Sequence, residues 1–177
     1  MTADEEQELE QVSRRLNTLL AERVNQLEQY QSEFFARLRD ILAGNENVRI
    51  VGDRFLLPSE LLFASASAEL GEEGRQELDK LAKLLLDVSA KIPEDVDWIL
   101  RIDGHTDILP INTPRFPSNW ELSTARAVAV VRYLAAQGVP ERRMAAAGFG
   151  EFFPVAEGTS PEALQRNRRI ELKLTDR

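Results

Sequence analysis

Apolar residues recur at Leu9, Val12, Leu16, Leu20, Val24, Leu27, Phe34, Leu38 and Ile41, mostly in steps of three and four, with Gln31 in the gap between Leu27 and Phe34. Neither Pro nor Gly interrupts residues 3–43, which are rich in Glu, Gln, Arg and Leu. The spacing predicts one long helix with an apolar stripe. The stripe is a heptad at Leu9 and Leu16 and again at Leu20, Leu27, Phe34 and Ile41. The four-residue join is a stutter, which locally unwinds a left-handed supercoil. Such a helix extends roughly 60 Å and cannot bury its stripe alone. The expectation is a parallel coiled coil in a homodimer, with a helix folded back onto the following domain as the alternative. Gly44-Asn45-Glu46-Asn47 is expected to end the helix, Gly44 serving as the stop.

Beyond residue 45 the period changes. Val48 to Leu57 reads as a hairpin turning at Gly52-Asp53. Leu78, Leu81, Leu84, Leu85 and Val88 predict a helix over 72–91, stopped by Pro93. Trp98, Leu100 and Ile102 share one face of a strand over 98–103. Ser118 with Glu121 opens the next helix as a capping box, and Ala127, Val130, Val131 and Leu134 form its inward face. A strand over 143–149, a short helix at Ser160-Pro161 and a last strand over 168–175 complete the order. Strand–helix–strand links favour parallel neighbours with right-handed crossovers. The expected fold is an α/β sandwich, a small mixed sheet with helices on one face, over residues 46–177, preceded by the long helix of residues 1–45.

Composition narrows the functions. The chain of 177 residues carries net charge −8 and no basic block, a poor match to nucleic acid or an anionic membrane surface. It has no cysteine, which excludes disulfides, thiolate metal sites and a cysteine nucleophile. One histidine, His105, supplies no metal-ligand set, and no nucleophile-elbow motif accompanies it. Neither a catalytic residue nor a cofactor is expected. No apolar run is long enough to cross a bilayer. An export or anchoring segment, if the natural protein has one, lies outside these residues.

The candidate chemistry gathers at one strand-to-helix junction, Asp103-Gly104-His105-Thr106-Asp107 followed by Ser118-Asn119-Trp120-Glu121-Leu122-Ser123-Thr124-Ala125-Arg126. Ligands in α/β folds commonly sit beyond the carboxyl ends of strands. Asp107 offers an acid there, Arg126 a guanidinium fork, Asn119 an amide, and the helix start free N–H groups. These suit a small zwitterionic group. The competing reading is that Asp107 and Arg126 pair with each other and brace the loop. Asn167-Arg168-Arg169 adds further donors before the last strand, alternation placing Arg168 toward the helices and Arg169 on the other face. His105 is expected to pack and to hydrogen-bond the loop, and Trp120 to anchor the helix start.

Four motifs in order, Asp103–Asp107, Asn119 with Leu122-Ser123 and Arg126-Ala127, Gly148-Phe149-Gly150-Glu151 with Pro154, and Asn167-Arg168-Arg169-Ile170-Glu171, resemble the OmpA-like peptidoglycan-binding domain from about Leu57 to the C-terminus. The long loop ending Arg115-Phe116-Pro117 and the stretch Arg54-Phe55 to Leu70 resemble MotB-like stator subunits within that group. The resemblance implies a non-enzymatic anchor that binds the diaminopimelate of peptidoglycan stem peptides. Asp107 would take the ammonium and Arg126 the carboxylate, with Thr106, Asn119, Asn167 and Arg168 completing the pocket. It also implies a periplasmic location as the soluble part of an inner-membrane-anchored protein, and a MotA-like membrane subunit as partner of the full-length chain. Two features depart from MotB: the membrane helix is absent, and a coiled-coil-like segment precedes the domain. These leave open a non-flagellar, phage-defence motor subunit, or a tether between outer membrane and wall.

Overall fold

The computed structural model of the protein describes residues 2–42 and 48–177. The expected stop at residues 44–47 lies outside them. The elements are α1 (Ala3–Leu42), β1 (Arg49–Val51), β2 (Arg54–Pro58), α2 (Ser59–Leu62), α3 (Glu72–Lys91), β3 (Trp98–His105), α4 (Asn119–Ala136), β4 (Met144–Gly148), α5 (Pro161–Asn167) and β5 (Arg169–Asp176). A single 3-10 turn, Glu141–Arg143, leads into β4. Among the described residues no helix is long and apolar enough to cross a membrane.

The five strands form one mixed sheet in the order β1-β2-β5-β3-β4. β3 and β4 are parallel, as the strand–helix–strand pattern expects, while β5 runs antiparallel to both β2 and β3. β2 and β3, linked through α3, are therefore parallel but not adjacent, because β5 inserts between them. The sequence pattern marks each strand's period but not the order in which strands pair. Alternation along β3 sends Trp98, Leu100 and Ile102 into the core, and Ile170, Leu172 and Leu174 of β5 do the same. The α3 stripe and Ala127, Val130 and Leu134 of α4 cover this face.

α1 divides in two. Phe34, Leu38 and Leu42 are buried in the same core as the sheet, and burial begins around Leu27. Leu9, Val12, Leu16, Leu20 and Val24 are each more than half exposed. The folded-back alternative thus describes the last third of the helix, and the core runs past residue 45, where the sequence reading divides the chain. Gln31 explains the gap in the stripe. Its Nε2 donates to the carbonyl of Leu174 at 2.9 Å, where β5 extends past the end of β2. Tyr30 Oη donates to the Lys91 carbonyl at 3.2 Å, and Arg23 pairs with Asp95 at 2.7 Å.

Two glycines bring α4 onto the sheet. A Cβ on Gly104 would collide with the Ser123 backbone, and one on Gly148 with Thr124. β3 and β4 pair at these residues, so α4 crosses where neither strand carries a side chain. That contact sets the start of α4 beside the carboxyl end of β3.

Candidate functional site

Past β3 the chain leaves the sheet as a tied loop. Thr106 N donates to the Gly150 carbonyl at 2.9 Å, and Thr106 Oγ1 to the Asp107 carbonyl at 2.9 Å. Asp107 Oδ1 accepts from Leu109 N at 3.0 Å. Asn119, the first residue of α4, donates from Nδ2 to the Leu109 carbonyl at 3.0 Å and pins the loop to the helix. Ser118 caps α4 by accepting from Trp120 N at 3.2 Å, and its hydroxyl donates to Glu121. Glu121 thus closes on the cap residue as the sequence pattern expects, but through the Ser118 hydroxyl, and the cap's acceptor bond goes to Trp120 N instead of Glu121 N.

Between this loop and the segment after β2 lies a groove of about 500 Å³. Thr106, Asp107, Asn119, Arg126 and Arg168 all line it, so five of the six expected site residues meet in one place. Asn167 does not line it. Its Oδ1 accepts from Val155 N and Ala156 N at 2.8 and 3.0 Å, and its Nδ2 donates to the Ala156 carbonyl at 2.8 Å. With its amide so engaged, Asn167 staples the loop before α5 and positions Arg168 instead of reaching the groove.

Asp107 and Arg126 do not pair with each other. Arg126 is 4% exposed and donates from Nε to the Ser67 carbonyl at 2.8 Å and from Nη2 to the Ala64 carbonyl at 3.3 Å. Its guanidinium stacks over the Phe63 ring at 5.3 Å, and Nη1 makes no hydrogen bond among the described residues. Burial holds the Arg126 pKa below its ordinary value, with Glu60 and Asp107 pulling the other way. Arg168 bridges two acids, donating from Nη1 to Asp107 Oδ2 at 2.8 Å and from Nε to Glu60 Oε1 at 2.5 Å. Burial opposes its charge, but these two bonds outweigh it and raise its pKa. The groove therefore presents two carboxylates and two guanidiniums, with a free donor edge on Arg126 and unused lone pairs on Asp107.

The sequence reading missed Glu60 and Ser59. Both line the groove, and the Ser59 hydroxyl is buried without a hydrogen-bond partner among the described residues. The small residues Ala64 to Ala68 are the one sequence signal for this wall, since they let the backbone approach Arg126. Trp120, expected to anchor the helix start, is 49% exposed and stacks on Phe152 of the loop after β4, with centroids 5.0 Å apart.

The opposite face of the sheet holds a second polar cluster. Arg169 contacts Glu171 through Nε at 2.8 Å and Nη2 at 2.7 Å, and Arg54 Nη1 reaches Glu171 at 2.9 Å. Arg169 is thus engaged on the far face, as alternation expects, whereas Arg168 precedes β5 and caps α5. His105 stacks on Phe149 with centroids 4.9 Å apart. Its Nε2 lies 3.3 Å from Glu171 Oε2 without hydrogen-bond geometry, and neither ring nitrogen has a hydrogen-bond partner among the described residues. Its role is packing, and the expected hydrogen bond to the loop is not formed.

Comparison with known proteins places the chain in a family. Residues 62–168, more than half of the chain, match the OmpA family. This chain belongs to the OmpA family. It is 30% identical over 122 residues to Motility protein B of Helicobacter pylori, covering 68% of this chain and 45% of that one. A MotB-like protein from Desulfovibrio vulgaris superposes with a TM-score of 0.72 at 29% identity, over 88% of this chain and 99% of that one. The cell wall anchor of the T6SS from Pseudomonas aeruginosa gives a TM-score of 0.68 at 33% identity, over 80% of this chain and 96% of that one. The chain spans about half the length of the curated relatives it matches, 46%, 45% and 50% for three of them.

In this OmpA-family domain the buried His105 sets a pH response. Burial, with Arg169 adding repulsion, lowers its pKa from 6.5 to about 4, against an opposing pull from Glu171. Between those values the unfolded chain binds the proton and the folded chain does not. Stability therefore falls as pH drops from 6.5 toward about 4, by up to about 3 kcal/mol from this group. Urea unfolding at about pH 7 and about pH 5 should show this loss in the native chain and a smaller one in His105→Phe, which keeps the stack on Phe149. Equal losses in both would assign the effect elsewhere.

Proposed function

We propose that this domain anchors its assembly to the cell wall by binding peptidoglycan non-covalently, without catalysing a reaction on it. The observation that carries this reading is the convergence of Asp107, Arg126 and Arg168 on one groove in an OmpA-family fold. The ligand is the end of a diaminopimelate side chain, which presents an ammonium and a carboxylate on one carbon. Asp107, with Glu60 nearby, takes the ammonium. The open edge of Arg126 takes the carboxylate, in charge-assisted bonds that a buried site strengthens. Thr106 and Asn119 hold the loop that presents Asp107, and Asn167 acts from behind by fixing Arg168. Arg168 contacts the ligand or yields Asp107 to it, since its two acid partners keep it charged in either case. The compartment is the periplasm, reached from a membrane anchor, and the full-length partner is a MotA-like subunit or its equivalent in another envelope motor.

Sedimentation of purified sacculi tests the groove. The native chain should co-sediment, while Asp107→Asn and Arg126→Ala should each lower the bound fraction at least tenfold with the fold retained by circular dichroism. Asp107→Asn keeps the side chain's shape while removing its charge and turning one acceptor oxygen into an NH2 donor, so undiminished binding by that variant would contradict the reading.

The exposed half of α1 supports a parallel homodimer. Leu9, Val12, Leu16, Leu20 and Val24 form a stripe left exposed among the described residues, and covering it with a second copy would bury it at little cost in order. Two wall sites on one dimer also raise avidity without new contacts. Analytical ultracentrifugation should find a dimer for the native chain and a folded monomer for Leu16→Glu/Leu20→Glu. A monomeric native chain at about 100 µM would remove the proposal.

A further inference from the structure

On the sheet face opposite α3 and α4, a cleft of about 300 Å³ opens between α5 and strands β1, β2 and β5. Among the described residues its charged lining is Arg49, Arg166, Arg168, Arg169 and a single acid, Glu162. A basic cleft is unexpected in a chain of net charge −8. Two of these cations are already neutralised: Arg169 by Glu171, and Arg168 by Asp107 and Glu60. Arg49 and Arg166 form no ion pair among the described residues, and both are exposed. Glu171 is in turn shared by Arg54, Arg169 and the His105 ring, so it has no charge to spare for the cleft.

Arg168 lines this cleft and also the groove on the other side of the Pro58–Ser59 corner. Ser59 N donates to the Arg168 carbonyl at 3.0 Å, so the corner and the arginine move as one piece. Arg168 is the one residue common to the two linings, so the groove and the cleft adjoin at its side chain. An extended peptide advances about 3.3–3.6 Å per residue, so one residue beyond the groove reaches past a single side chain. Guanidiniums favour carboxylates through paired, planar hydrogen bonds.

We infer that the Arg49–Arg166 cleft is a second subsite, which takes a further carboxylate of the same stem peptide whose diaminopimelate fills the groove. The inference rests on the proposed wall-binding reading and adds to it a requirement for ligand charge. It makes the domain selective for stem peptides with free carboxyls over amidated ones. The groove alone would not distinguish them.

Isothermal titration of the full chain separates the two claims. The probes are free meso-diaminopimelate, the tetrapeptide L-Ala-γ-D-Glu-meso-diaminopimelate-D-Ala, and the same tetrapeptide with the carboxyls outside diaminopimelate amidated. Arg49→Gln/Arg166→Gln should bind the free-acid tetrapeptide about tenfold more weakly than the native chain, the loss of one charge-assisted contact. It should bind the amidated tetrapeptide and free meso-diaminopimelate as the native chain does. Arg75→Gln/Arg142→Gln removes the same charge at exposed positions outside the cleft, and should leave all three affinities unchanged. Equal tetrapeptide affinity for the native chain and the cleft variant overturns the subsite and leaves the groove standing. A uniform loss in both arginine pairs overturns it too, as a general charge effect. If the native chain binds none of the probes, the groove reading fails and the subsite with it.

Discussion

The structure depends on how closely α4 lies against the β3–β4 pair. Gly104 and Gly148 stand opposite each other in the parallel ladder, and each would clash with α4 if it carried a Cβ. That close approach fixes the height of α4 above the sheet. It places Asn119 within reach of the loop leaving β3, and it holds Arg126 under the Ala64–Ser67 backbone. Ser123, at the contact itself, is fully buried and accepts from Gly150 N at 3.0 Å, so the same helix turn also ties the loop after β4. A similar closeness recurs at Gly74 of α3, where a Cβ would meet the Leu62 carbonyl at 2.7 Å and push away the wall of the groove.

The groove is built from opposed charges that are mostly satisfied before any ligand arrives. Arg168 bridges Glu60 and Asp107, and backbone carbonyls hold Arg126. Buried charges without partners are costly, so this arrangement keeps the apo site stable. It also keeps it ordered, because a ligand meets side chains that need little reorganisation. On the proposed reading, ligand binding would exchange one set of ion pairs for another, a balance suited to a domain that must grip the wall and release it. The last third of α1 joins the same core, so on the proposed reading load carried along that helix would reach the sheet directly through Phe34, Leu38 and Leu42.

Much of this was legible in the sequence because periodic apolar positions report burial. The α3 stripe, the β3 face and the hairpin turn are all where the spacing puts them. The partnership of Asp107 was not legible. Spacing brings Asp107 and Arg126 to one junction, but only the fold shows that Arg168, sixty-one positions away, takes Asp107 and leaves Arg126 an open edge. Glu60 was missed because α2 is four residues long and shows no period. The division of α1 was hidden because an apolar stripe looks the same whether it meets a sheet or a second helix. Gln31 was the one sign of the change, a polar residue needed where a strand carbonyl lacked a partner. Asn167 looked like a groove residue because it precedes Arg168, which does line the groove; its own amide serves the backbone.

The central claim is that Asp107 and Arg126 hold a doubly charged amino-acid end in the groove between them. Amide chemical-shift mapping with free meso-diaminopimelate tests it most directly. The account predicts saturable shifts grouped at Thr106, Asp107, Leu109, Asn119 and the Ala64–Ser67 backbone that Arg126 braces. Shifts absent from these residues at saturating ligand, or confined to another surface, would contradict it.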